Sequence, residues 1–325
     1  MRRPASLAAA LDGILSQSFA DCEVLVVYNF AEAETAEVTA RYKTKLRLRE
    51  FNSSAGLVEC ANIALGQAEG EIFIRTDDDA VASPGWLEAI HETFNSDPKI
   101  GGVTGPTTIP LAKLEGRDLM KLYGRFKNGS LPWRLIGKIY LEYVMEGRSR
   151  EVSQWLRSGA FTLGSNFASA QELPGPRYVT NLEACNFAVR TQLLRDIGGF
   201  DSAYATGLGD YHEADAALKI KKLGYYLVFN PKASIEHRPS ILSIGKARPN
   251  SYCRSQNFLR FYFRHIRPND FGGWCRFLCY LGMLNVYWCW KALVARDAQS
   301  LGGVVGTFTG LIKCLPDLAA GRSAL

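Results

Sequence analysis

Glu71-Ile-Phe-Ile-Arg-Thr-Asp77-Asp78-Asp79-Ala80 is an apolar strand that runs directly into three consecutive carboxylates. Adjacent negative charges repel one another and are costly at the end of a buried strand unless a cation sits among them. Hard divalent ions take oxygen ligands and keep part of their shell for substrate phosphates, so Asp77 and Asp79 read as a clamp for a metal and a diphosphate. The competing reading is a solvated acidic turn ahead of a helix from Gly85 to Phe94 that Ser83-Pro84 opens.

The surroundings predict an α/β domain. Cys22-Glu-Val-Leu-Val-Val-Tyr28 is a short apolar run of the kind found in a strand buried on both faces. Before it, Leu7, Leu11, Ile14 and Leu15 recur at helical spacing. After it come a polar helix from Ala31 to Tyr42, a strand from Lys45 to Glu50, and a helix from Gly56 to Ala68 that Glu69-Gly70 closes. In an open parallel sheet, ligands bind beyond the carboxyl ends of the strands, where Asp77 to Asp79 fall.

These residues resemble a family 2 glycosyltransferase with the GT-A nucleotide-diphospho-sugar transferase fold. The matching positions include Gln17, Glu23-Val-Leu-Val-Val, Gly56 with Ala61-Asn62, Ala68-Glu69-Gly70-Glu71, the acid triplet and Pro84-Gly85-Trp86-Leu87. Further matches are Cys185-Asn186-Phe187-Ala188-Val189-Arg190, Ile197-Gly198-Gly199-Phe200-Asp201, His212-Glu213-Ala214-Asp215 and Pro231 to His237. The resemblance implies a Rossmann-like mixed sheet flanked by helices over residues 1–240, with an acceptor-shaping insertion at about 111–178. Residues 241–325 would then be a basic, aromatic-rich helical extension at a membrane.

Sugar transfer from a nucleoside diphosphate with inversion requires a base for the acceptor hydroxyl and something to neutralise the leaving diphosphate. By the resemblance, Asp77 lies near the ribose and metal, Asp79 ligates a Mg2+ or Mn2+ ion bridging the phosphates, and His237 completes that shell. Asp78, Asn62 and Asn186 fall on the donor side. Glu213 occupies the position of the base, preceded by His212 where relatives often carry Glu, and Asp215 is the second choice. The plainer reading makes Glu213 and Asp215 ordinary acids in the first turn of a helix from Ala214 to Leu223.

The stretch from Leu111 to Tyr178 is rich in basic and aromatic residues, among them Trp133, Tyr140, Tyr143 and Trp155. From Arg238 to Arg267 there are Lys246, Arg248, Arg254, Arg260, Arg264 and Arg267 and no acid, interleaved with Phe258, Leu259, Phe261, Tyr262 and Phe263. That pattern predicts a membrane-surface segment. Phe277 to Trp290 is charge-free but shorter than the roughly 20 residues of a spanning helix, which favours a helix in the interface, followed by a weaker apolar segment from Leu301 to Leu315.

The chain has 325 residues, a net charge of +6 and eight cysteines without a Cys-x-x-Cys pair, so neither zinc nor a disulfide framework is indicated. No nucleic-acid-binding motif accompanies the positive charge. The expected location is the cytoplasmic face of a membrane, peripheral or monotopic, with a nucleoside diphosphate sugar as donor and a glycan, preferably polyprenyl-linked, as acceptor. Met1-Arg-Arg-Pro4 begins at the helix that follows the first strand in this family, so that strand is expected to be missing, through a start assigned downstream or a degraded copy. The alternatives are a catalytically silent nucleotide-sugar binder and, lower, a nucleotidyltransferase.

Overall fold

The computed structural model describes residues 3–115, 118–239, 250–294 and 296–319, and the chain divides into two compact units. In chain order the elements are α1 (Pro4–Leu15), β1 (Val24–Tyr28), α2 (Ala33–Tyr42), β2 (Leu48–Asn52), α3 (Leu57–Gln67), β3 (Ile72–Arg75), β4 (Ala80–Ala82), α4 (Trp86–Ser96), β5 (Ile100–Thr104) and β6 (Thr107–Thr108). Helices α5 (Leu111–Glu115), α6 (Asp118–Asn128) and α7 (Leu131–Lys138) follow. The chain continues through β7 (Arg177–Tyr178), β8 (Phe187–Arg190), α8 (Thr191–Asp196), α9 (His212–Lys222), β9 (Tyr226–Phe229) and β10 (Ile235–His237). It ends in α10 (Ser251–His265), α11 (Phe271–Val294) and α12 (Leu301–Ala319).

The first unit comprises Met1–Ile109, Ser165–Ala205 and His212–Ile241. Its main sheet has the order β3-β8-β5-β9-β7, with β5 and β9 parallel and the other pairs antiparallel. β5 is buried along its whole length because it has a neighbour on each edge and helices on its faces. A Cβ at Gly101 would stand 2.7 Å from Ile220, so the glycine is what lets α9 approach the sheet this closely. A small sheet of order β4-β10-β6 lies beside α4, whose Trp86, Ile90 and Phe94 pack on Ile100, Val103, Ala188, Val228 and Ile235.

β1 departs from expectation. All five of its residues are half-buried rather than buried, because β1 pairs only with β2, in parallel, and among the described residues no strand joins that pair to β3.

The second unit comprises Pro110–Gly164, Thr206–Tyr211 and Leu242–Leu325. The insertion and the C-terminal extension are therefore one body, and residues 165–178 belong to the first unit, which redraws the expected boundaries. The reason is shared apolar packing: Val144, Met145 and Leu156 meet Cys279, Tyr280 and Met283, and Trp155 packs on Phe261 with centroids 4.6 Å apart. The aromatic residues of α10 also change role. Phe258, Leu259, Phe261, Tyr262 and Phe263 are the buried core of this unit rather than a surface, with Tyr262 stacked on Phe277 at 3.9 Å. Lys246 and Arg248 lie outside the described residues.

The exposed apolar surface is elsewhere. α12 turns Gly302, Gly306 and Gly310 toward α10 and leaves Leu301, Val305, Phe308, Ile312 and Leu315, a stripe of period 3.5, exposed. On α11, Phe271, Leu278, Val286 and Leu293 are exposed, as are Leu131, Leu135 and Ile136 on α7. With 24 residues, α11 is longer than expected, and it is the one helix among the described residues long and apolar enough to cross a membrane.

A Cβ at Gly306 would lie 2.3 Å from the Tyr252 carbonyl oxygen, in backbone that has nowhere to move. Gly306→Val should therefore destabilise the protein by about 1–3 kcal/mol, read as a fall in thermal midpoint, whereas Val305→Ala on the opposite face should change it little.

Candidate functional site

Strand register assembles the site. β3 and β8 are antiparallel with Arg75 opposite Phe187, so two steps forward on one strand and two back on the other bring Asp77 to Cys185. The acid triplet turns back through a hydrogen bond from Ala80 N to Asp77 O, and β4 then pairs with β10, placing His237 opposite Ala80. Arg238 N donates to Asp79 O at 2.7 Å, which fixes His237 over the triplet.

The result is a compact set of donors. His237 Nε2 lies 3.3 Å from Asp79 Oδ1, and ligand atoms of Asp77, Cys185 and His237 all fall within 4.8 Å of one another. Asp79 is 5% exposed, while Asp77, Asp78 and His237 are partly open. The need for a cation is met in part by the chain itself, because the Arg3 guanidinium bonds to Asp78 and to Asp79 Oδ2. Burial and the flanking Asp79 and Asp77 push Asp78 up to about 6 against the pull of Arg3. Asp79 goes the other way: burial is outweighed by His237 and Arg3, which hold it below the usual range.

Arg75 is the functional residue that sequence reading passed over. Its buried guanidinium reaches Asp77 Oδ1 at 2.9 Å, Glu213 Oε1 at 2.5 Å and the Ala184 carbonyl at 2.6 Å. An arginine inside an apolar strand was the available signal, since a buried charge requires a partner. Burial works against its charge, but Glu213 and Asp77 hold its pKa above the usual value.

Glu213 lies in the first turn of α9 at 7% exposure, with His212 Nδ1 2.9 Å from its Oε2. Burial alone would raise its pKa, yet His212 and Arg75 bring it down to about 2. Asp215 is 1% exposed and held by Lys219 Nζ at 2.8 Å and the Tyr204 hydroxyl at 3.2 Å.

Asn62 and Asn186, expected on the donor side, both bond to the frame of the first unit. Asn62 clamps Phe200 in both directions, donating to its carbonyl at 2.8 Å and accepting from its N–H at 2.9 Å. Asn186, fully buried, accepts from Trp86 Nε1 and donates to the Ala233 and Pro106 carbonyls. The Cys185 thiol is held well above its usual pKa by burial, with Asp77 and Glu183 adding to the effect.

Because the folded pKa of Glu213 lies below the ordinary value near 4.3, its stabilising contribution is present above that value and is lost as pH falls toward 2. At neutral pH it amounts to about 3 kcal/mol. The gap in thermal stability between wild type and Glu213→Gln should therefore narrow as pH drops from 5 to 2, and a constant gap would contradict the pairing.

Residues 1–141 match the family model described as glycosyl transferase family 2. No curated protein sequence matches the chain. Among solved structures, the mannosyltransferase PcManGT from Pyrobaculum calidifontis, in complex with GDP-Man and Mn2+, superimposes with a TM-score of 0.54 at 16% identity, covering 94% of this chain and 84% of that one. S. aureus TarS 1-349 gives 0.55 at 13% identity, covering 96% and 79%. The same TarS segment in complex with UDP-GlcNAc gives 0.50 at 13% identity, covering 97% and 88%. These likenesses establish the GT-A fold.

Proposed function

We propose that the chain, with family 2 glycosyltransferase sequence over residues 1–141 on a GT-A fold, is a glycosyltransferase that transfers a sugar, with inversion, from a nucleoside diphosphate sugar. The observation that carries the proposal is the convergence of Asp77 and Asp79, just past the end of β3, with His237, the last residue of β10. Oxygen and imidazole donors suit Mg2+ or Mn2+, and a separation of 3.3 Å is close to the roughly 3 Å between neighbouring corners of an octahedron with bonds near 2.1 Å. When bound there, such an ion would neutralise charge on the leaving diphosphate.

Glu213 is the proposed base. It is ionised throughout the neutral range, and its low pKa makes it a weak base toward a resting hydroxyl. As the new glycosidic bond forms, however, the acceptor oxygen becomes strongly acidic, so transfer of its proton to this carboxylate runs downhill late in the reaction. Arg75 positions Glu213 from one side and Asp77 from the other, which ties the base to the donor end of the site.

The second unit supports a membrane-bound acceptor such as a polyprenyl-linked glycan. It contains 21 Lys and Arg against 9 Asp and Glu, a net +12, whereas the first unit, with 17 against 23, is net −6. Basic charge in the same unit as the exposed apolar stripes of α7, α11 and α12 suits a helix surface lying in an anionic leaflet. That would place the protein on the cytoplasmic face of a membrane.

Three measurements test the proposal. Calorimetry with UDP, GDP and dTDP should show one nucleotide binding with Mn2+ and not with chelator. Glu213→Gln should keep that affinity while sugar transfer falls about 10²- to 10⁴-fold; an unchanged rate would remove Glu213 from the base role. In flotation assays the chain should bind phosphatidylglycerol vesicles and not phosphatidylcholine vesicles, and Val305→Asp with Ile312→Asp should abolish this. Failure to float at low salt would defeat the membrane reading.

A further inference from the structure

We propose that Asp77, Cys185 and His237 form a divalent-cation site whose sulfur selects thiophilic ions, Zn2+ or Co2+, over Mg2+. The inference deepens the metal-assisted reading above and rests on it.

Carboxylate, thiol and imidazole are the three side-chain types that hold borderline-soft ions, and here one of each meets within 4.8 Å. Zinc bonds of about 2.0–2.3 Å place tetrahedral ligand atoms about 3.3–3.8 Å apart, so these donors close on an ion by side-chain rotation. The backbone is already fixed, by the β3–β8 register for Asp77 and Cys185 and by the β4–β10 register for His237. Asp77 and His237 are partly exposed and offer the entry path, while Cys185 is buried beneath them.

A buried free cysteine commonly acts as a small apolar side chain, and Cys185 does border the core of the first unit. Its neighbours distinguish it. Its sulfur lies within 4.8 Å of an Asp77 carboxylate oxygen and a His237 ring nitrogen. On binding, a metal–sulfur bond forms, the S–H bond breaks, and the proton leaves to solvent. Asp77 and His237 are common to both donor sets, so an ion on the sulfur side and a hard ion on the Asp79 side compete for them.

Cobalt(II) reports on this without any transfer assay. Titrating the full chain with Co2+ should produce a sulfur-to-metal charge-transfer band in the near ultraviolet that stoichiometric Zn2+ displaces and excess Mg2+ does not. Cys185→Ser and Cys185→Ala should lose the band and weaken Zn2+ binding at least about tenfold, with Mn2+ binding within about twofold of wild type. A band that persists in both variants would assign the signal to another cysteine and overturn the proposal. Calorimetric Co2+ binding without any band would overturn it too, while leaving the metal-assisted reading intact. No binding of any divalent ion would overturn both.

Discussion

The site is organised by a buried guanidinium. Arg75 is the last residue of β3, and its side chain joins Asp77 to Glu213, two carboxylates that lie 136 positions apart in sequence. Removing one partner from such a buried group leaves an uncompensated charge, at a cost of about 3–5 kcal/mol. The three groups therefore hold one another in place. A strand end, the acid turn and a helix N-terminus are fixed by hydrogen bonds from the same guanidinium.

Backbone topology does the remaining placement. Antiparallel pairing of β8 with β3 and of β10 with β4 carries Cys185 and His237 to the acid triplet without long side chains. The asparagines hold the frame: Asn186 bridges Trp86 to the Ala233 carbonyl, and Asn62 pins the turn at Phe200. β3 with β8 and β4 with β10 lie in sheets of which β1 is not a member.

Much of this was legible in the sequence. The acid triplet at the end of a strand, the alternation of helices and strands, and the helix start at His212-Glu213 all have local signatures, and the observed elements follow them within a few residues. What escaped was non-local. Nothing adjacent to Asn62 or Asn186 shows that their amides are consumed by partners 138 and 100 positions away. Aromatic and basic residues in alternation fit a membrane surface and a helix core equally well, so the burial of Phe258 to Phe263 depended on partners in α11 and in the insertion.

The long sequence separations bear on how the chain folds. β3 has no partner until Phe187 has been made, and His237 comes later still. The apolar residues around Val144 and Leu156 wait even longer, because Tyr280 and Met283 lie near the end of the chain. During synthesis the middle segment is therefore exposed before its covering helices exist. High contact order of this kind slows folding and leaves intermediates prone to aggregate, so the yield of native protein should depend on chaperones more than a chain of this size with local contacts would require.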